Sequence, residues 1–175
     1  MYEPQPGDYA CVWIPRVGMK LFGKHFSVPN LVGWAIRLCT WSRYCHAFVY
    51  IGGGEIIEAQ PGGACVSQLT EYAGMPSVWS QDALSVVERA KVVSEAKALL
   101  GTPYGWLDLV AILFVRTLRL PVPWLVRRVL DEATAICSQL VAMSGVHAGI
   151  MSWLCGQPHP QLVTPGDLAR RCKGK

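Results

Sequence analysis

The stretch "RYCHAFVYIGGGEIIEAQPGG", residues 43–63, decides how the rest of the chain is read. An aromatic and β-branched run, three glycines and a second apolar run predict a β-hairpin. His46 heads the first strand and Glu58 lies on the return. Side chains alternate between faces along a strand, so His46, Phe48 and Tyr50 share one face, and Ile56, Glu58 and Gln60 share one. Whether the two sets meet depends on the connection. An odd-length connection, such as Ile51 to Gly53, puts Glu58 opposite His46. An even two-residue turn puts Ala59 there and sends Glu58 to the other face. Where they meet, the carboxylate can hold the imidazole in one tautomer and raise its basicity. Gln60 is the alternative, orienting the ring through an amide.

A base needs a nucleophile. Of the seven cysteines, Cys137 is the best placed, in "DEATAICSQLVAMSG", where a helix is expected to begin at Ala135 or Cys137 and run to Val146. A thiol at a helix N-terminus feels free N–H groups and the positive end of the dipole, both of which favour the thiolate. A neighbouring His strengthens the effect. Backbone N–H groups at the same place can face a developing oxyanion. Ser138 is a poorer nucleophile, because a hydroxyl needs stronger help from a base. The competing reading is bland: a lone Cys in an apolar helix and a lone His in a strand are ordinary core residues.

The flanking elements follow from periodicity and breakers. "PGDYACVWIP" reads as a turn and a short strand ended by Pro15. Residues 16–30 are Gly-rich and mixed, and are expected to be loop. "PNLVGWAIRLCTW" reads as a short helix. "GGACVSQLTEYA" predicts a strand and then a turn or short helix, and "SVWSQ" another strand. Residues 82–100 form the clearest helical pattern, with Asp82 as the expected cap and Gly101 as the stop. An apolar helix is expected over about 106–119, broken by "LPVP", with a short helix over about 124–130. The tail "HPQLVTPGDLARR" suggests turns and a one-turn helix.

Composition bounds the function. The chain has 175 residues, 51% apolar and 16% charged, with net charge +4. That is enough for one domain with a hydrophobic core, and it is not the composition of a disordered chain. The charge is too mild and too scattered for nucleic-acid binding. No CxxC pair occurs, so no metal site is expected. The odd cysteine count suits a reducing compartment. "MYEPQPGDYA" has no basic region followed by an apolar run, so no signal peptide is expected. The longest uninterrupted apolar run, Leu109 to Val115, is far shorter than the about 20 residues that span a bilayer. Flanking arginines leave a peripheral contact with anionic lipid open. The expected location is cytoplasmic or virion-associated; nothing in the sequence sets the oligomeric state.

Four segments, in order, resemble one known family. "PQPGDYACVWI" resembles an opening Pro-Gly-Asp turn and strand, and "SRYCHAFVYIGGGEIIEAQPGGACVSQL" a His strand, glycine turn, Glu-Ala strand and following strand. "AICSQLV" resembles a Cys-Ser-x-Leu-Val nucleophile helix, and "LVTPGDLA" a closing Thr/Ser-Pro-x-Asp-Leu segment. These resemble the circularly permuted, NlpC-type branch of the papain-like superfamily, related to lecithin retinol acyltransferase-like proteins. The resemblance implies one α+β domain over 1–175, with a small antiparallel sheet packed on the Cys helix. An insertion at about 16–43 and the apolar segment at about 106–130 depart from the family pattern. It implies Cys137 as nucleophile, His46 as base and Glu58 as the polar partner, with Tyr104 helping to line the groove; Gln60 and Ser138 are further candidates for contact with the substrate. It implies a cysteine hydrolase or acyltransferase, without a cofactor, acting on amide, isopeptide or ester bonds of a peptide (peptidoglycan included) or a lipid. The alternative is an inactive binding or structural protein that docks on a membrane surface or a partner.

Overall fold

The structure, a computed structural model, describes residues 2–21, 24–105 and 134–174. The helices expected within 106–130 lie outside the described residues. Among the described residues there are seven strands: β1 (Tyr9–Val12), β2 (Arg16–Leu21), β3 (Lys24–Pro29), β4 (His46–Gly52), β5 (Glu55–Gln60), β6 (Gly63–Gln68) and β7 (Ser77–Trp79). Four α-helices accompany them: α1 (Leu31–Thr40), α2 (Val86–Ala98), α3 (Cys137–His147) and α4 (Pro165–Lys173). Five strands form an antiparallel sheet in the order β6-β5-β4-β1-β7, and β2 and β3 pair as a separate ribbon. The architecture is α+β, a small antiparallel sheet packed against helices.

The sheet buries both faces, and the alternation of its strands says which residue goes where. Ala47, Val49, Ile57 and Ala59 point to one side, where they pack with Leu140, Val141 and Met143 of α3 in the main core. Phe48 and Ile56 point to the other, packing with Ala10 and Val12 and with the partly buried Tyr50, Leu69, Tyr72 and Trp79. A 3₁₀ turn at Leu69–Tyr72 folds over this second face.

The β4–β5 connection answers the question of register. Gly53 and Gly54 form a two-residue turn, both with positive φ (63° and 82°), as a tight hairpin turn of this length requires. Gly52 pairs with Glu55 across it, but the register then shifts, and Tyr50 pairs with Ile56 and Val49 with Ile57. Ile51 is the extra residue of a β-bulge. A plain two-residue turn would send Glu58 away from His46. The bulge reverses the parity and returns Glu58 to the His46 face. The continued register puts Glu58 across from Phe48, so it approaches His46 on the diagonal rather than from directly opposite.

Three expectations are corrected. Residues 16–30, expected to be loop, hold two paired antiparallel strands, Arg16–Leu21 and Lys24–Pro29. Val17, Met19 and Leu21, then Phe26 and Val28, alternate at strand spacing in the sequence, a signal that the interspersed Gly and Lys obscure. Asp82 does not cap α2. The cap is Ser85, whose hydroxyl accepts from Glu88 N while Glu88 bonds back to Ser85 N. Asp82 is buried instead, accepting both nitrogens of Arg171 at 2.8 Å and the Trp153 indole at 3.0 Å. The C-terminal helix runs nine residues, not one turn. Thr164 and Asp167 cap it reciprocally, and Tyr9 Oη donates to Leu168 O.

Helix α3 is held hard against its neighbours. A Cβ added at Gly145 would run into the Trp153 ring. Helix propensity alone favours Gly145→Ala by about 1 kcal/mol. Overpacking against a buried ring opposes it by about 1–3 kcal/mol, and the net effect is expected to be destabilising. Urea denaturation of the Gly145→Ala protein checks this; a gain in stability contradicts the packing described.

Candidate active site

Glu58 is wholly buried. An isolated carboxylate cannot stay ionised there, so its partners decide its state. His46 Nε2 lies 2.5 Å from Oε2, Tyr72 Oη donates to the same oxygen at 2.5 Å, and Gln60 Nε2 donates to Oε1 at 2.8 Å. Burial pushes the Glu58 carboxyl up, but the bonds from His46, Ser67 and Tyr72 outweigh it and bring it down to about 2. Burial pushes the Tyr72 phenol up and the Glu58 charge pushes it further, so Tyr72 stays a donor. The Tyr72 ring also stacks on His46, centroids 5.7 Å apart.

His46 begins β4, and Cys137 begins α3. Burial pulls the His46 pKa down. The charge and hydrogen bond of Cys137, followed by the bond and charge of Glu58, overcome that and raise it to about 10. With Nε2 engaged by Glu58, Nδ1 is the nitrogen left to face the thiol. A buried Cys, a His and a Glu are thus gathered in one chain of contacts. A ring held by a carboxylate on one side and a thiol on the other is the arrangement that yields a thiolate–imidazolium pair.

The start of α3 is locally well determined. Ile136, just before it, has no side-chain oxygen with which to cap the first N–H groups. Gln139 reaches back to accept from Ile136 N at 2.7 Å, and its amide donates to Gln161 O at 2.7 Å. Ser138 is buried, donating to Val163 O at 2.7 Å. These bonds tie the first turn to the segment before α4 and leave Cys137 at the tip.

Both Cys137 and His46 open onto a cavity of about 680 Å³. Its apolar wall includes Ile14, Ile36, Pro61 and Tyr104, and its polar lining includes Asn30, Gln60 and Glu71. Tyr104 is fixed beside the start of α3 by a parallel bridge to Ala135. Burial, then the nearby Cys137 and Cys45, push its phenol up. Ser138 is not among the lining residues; its hydroxyl is spent on the Val163 carbonyl. Gln60 touches Glu58 and lines the cavity, while Glu58 rather than Gln60 bonds His46.

Two residues that sequence reasoning passed over stand here. Tyr72 is one; its only signal is its place in "LTEYA", after a strand, where a turn folds back over the sheet. Cys45 is the other. It lines the cavity, but burial pushes its thiol up to about 11 and its Sγ lies 3.9 Å from Val12 O. A thiol that stays protonated near neutrality is a weak nucleophile. Among the described residues, no group of three or more His, Cys, Asp or Glu side chains is placed to hold a metal ion.

No protein-family model matches the chain, and no curated protein matches it. A solved structure to which it is similar is the crystal structure of the metalloprotein yiiX from Escherichia coli O157:H7, DUF1105. The TM-score is 0.49 at 19% sequence identity, over 80% of this chain and 92% of that chain.

The shifts of Glu58 and His46 set a pH signature. Glu58 is lowered from 4.5 to about 2, so its contribution to stability is present above 4.5 and is lost as pH falls toward 2. His46 is raised from 6.5 to about 10, so its contribution is complete below 6.5 and is lost as pH rises toward 10. The stability gap between wild type and Glu58→Gln is therefore expected to be widest between pH 4.5 and 6.5, narrowing on either side. Denaturation curves measured across the range test this; a gap that ignores pH rules the ion pair out.

Proposed function

We propose that the protein is a cysteine hydrolase or acyltransferase of the papain-like type, acting on an amide, isopeptide or ester bond. The observation that carries this reading is the chain Cys137–His46–Glu58, beginning at an uncapped helix N-terminus and facing a cavity. The order of motifs along the sequence, His strand before Cys helix, supports the circularly permuted NlpC branch.

In the proposed reaction His46 takes the Cys137 proton, and the thiolate attacks the carbonyl carbon. The N–H groups at the start of α3 hold the oxyanion of the tetrahedral intermediate. His46 then returns the proton to the departing amine or alcohol, leaving an acyl thioester on Cys137. Water, or an acceptor hydroxyl or amine, gives its proton to His46 and attacks the thioester. The thiolate leaves and takes the proton back. Glu58 keeps the ring oriented and stabilises the imidazolium; Gln60 and Tyr72 keep Glu58 in place. Tyr104 and the apolar wall would receive the acyl side. A lipid or other apolar acyl group fits that lining better than a wholly polar peptide.

Site-resolved alkylation by iodoacetamide, read by mass spectrometry between pH 5 and 9, tests the reading. Cys137 is expected to react fastest near neutral pH and to slow by roughly tenfold or more in His46→Ala. Cys45→Ser should leave that behaviour unchanged. A Cys137 no faster than Cys45, or indifferent to His46, would remove the basis for a catalytic thiol. A p-nitrophenyl ester should in addition leave an acyl mass on Cys137, which is expected to build up more slowly in Tyr72→Phe than in wild type.

A further inference from the structure

Helix α1 lies beside the cavity and turns its other side to solvent. Asn30, just before it, and Gly33 and Ile36 within it line the cavity. On the outer side Leu31, Trp34 and Leu38 recur at i, i+3 and i+7, which places them in one row. They are 75%, 47% and 70% exposed, and Trp41, the C-cap that follows, is 94% exposed. Single exposed apolar residues are ordinary, but a row of two leucines and two tryptophans is not.

The charges around the row indicate what would cover it. From Leu31 to Tyr44 there is no Asp or Glu, and there are two arginines, Arg37 and Arg43. The Arg37 guanidinium lies over the Trp13 and Trp34 rings, at 4.1 and 4.8 Å. Among the described residues neither arginine has a carboxylate in ion-pair reach. Arg170 and Lys173 of α4 stand at the same end, the first donating to Thr40 O at 3.0 Å, the second 5.6 Å from the Tyr44 ring. Arg170 is paired with Asp167 at 2.6 Å, which leaves Arg37, Arg43 and Lys173 as the cations offered to a partner. Tryptophans suit the headgroup level of a bilayer, and a cationic rim attracts anionic headgroups.

We propose that the outer face of α1 docks on an anionic lipid surface, Leu31, Leu38 and Trp41 entering the interface while Arg37, Arg43 and Lys173 meet the headgroups. Because the opposite face of the same helix lines the cavity, docking holds the cavity at the membrane. The binding requires no turnover, so it stands or falls separately from the catalytic reading.

Cosedimentation of the full chain with vesicles tests it, using phosphatidylcholine alone and phosphatidylcholine mixed with phosphatidylglycerol. Wild type and Cys137→Ala are expected to bind the anionic vesicles alike, more tightly than the zwitterionic ones, and less at high salt. Leu38→Gln combined with Trp41→Asn should weaken binding by about tenfold or more. Asn tolerates the left-handed backbone at Trp41 (φ 49°) and Gln is a good helix former, so the melting curve should be unchanged. Arg43→Glu, at an exposed position, should weaken binding without touching the apolar row. The proposal is overturned by a wild type that ignores anionic vesicles, or by a double variant that binds as wild type does. Sedimentation velocity showing a wild-type dimer that the double variant dissolves would equally overturn it, since the row would then be covered by a second copy.

Discussion

A carboxylate with no exposure to water needs donors on both oxygens, and Glu58 finds them in residues from three separate segments. That requirement organises the candidate site. His46 must lie on the same face of the hairpin, Gln60 must follow two residues on, and the turn after β6 must bring Tyr72 down over the sheet. Removing any donor leaves a buried charge short of a partner, at a cost of about 1–3 kcal/mol. The same carboxylate then acts on His46, which stands beside Cys137, so the state of the ring is set one layer further back.

The bulge at Ile51 is the backbone device that makes this arrangement possible. Tight hairpin turns favour two residues and positive φ, which the glycines supply. Taken alone, that turn has the wrong parity for a His46–Glu58 contact. One extra residue on β4 restores it and leaves the apolar face of the hairpin, Ala47, Val49, Ile57 and Ala59, against α3. The helix and the hairpin therefore share a core while their ends meet at the cavity.

Several parts were legible in the residues. Aromatic and β-branched runs around glycines identified β4 and β5, and a Pro-bounded apolar run identified β1. The recurrence of Leu31, Trp34, Ala35 and Leu38 after Pro29 marked α1. Cys137 was placed at the start of its helix because the apolar pattern begins there. Other parts were not legible, for local reasons. Asp82 and Ser85 are both good N-caps, and sequence alone cannot rank them. What separates them is Arg171, 89 positions away, which claims Asp82 for a buried ion pair. Residues 16–30 alternate, but glycine and lysine dilute the pattern below what a strand usually shows. Ser138 looked available beside Cys137, yet in the first turn of α3 its hydroxyl is claimed by the Val163 carbonyl.

By itself the sequence determined periodicity, turn chemistry and the residue types suited to a thiol site, because those depend on neighbours a few positions apart. It left two registers open for the hairpin, and two candidates, Glu58 and Gln60, for the partner of His46. Only the tertiary structure decided between them. A bulge changes register without changing composition, and Tyr72 reaches Glu58 from 14 positions away through a turn whose packing is set by the sheet beneath it. Contacts of that kind are set by burial and shape, which no local pattern encodes.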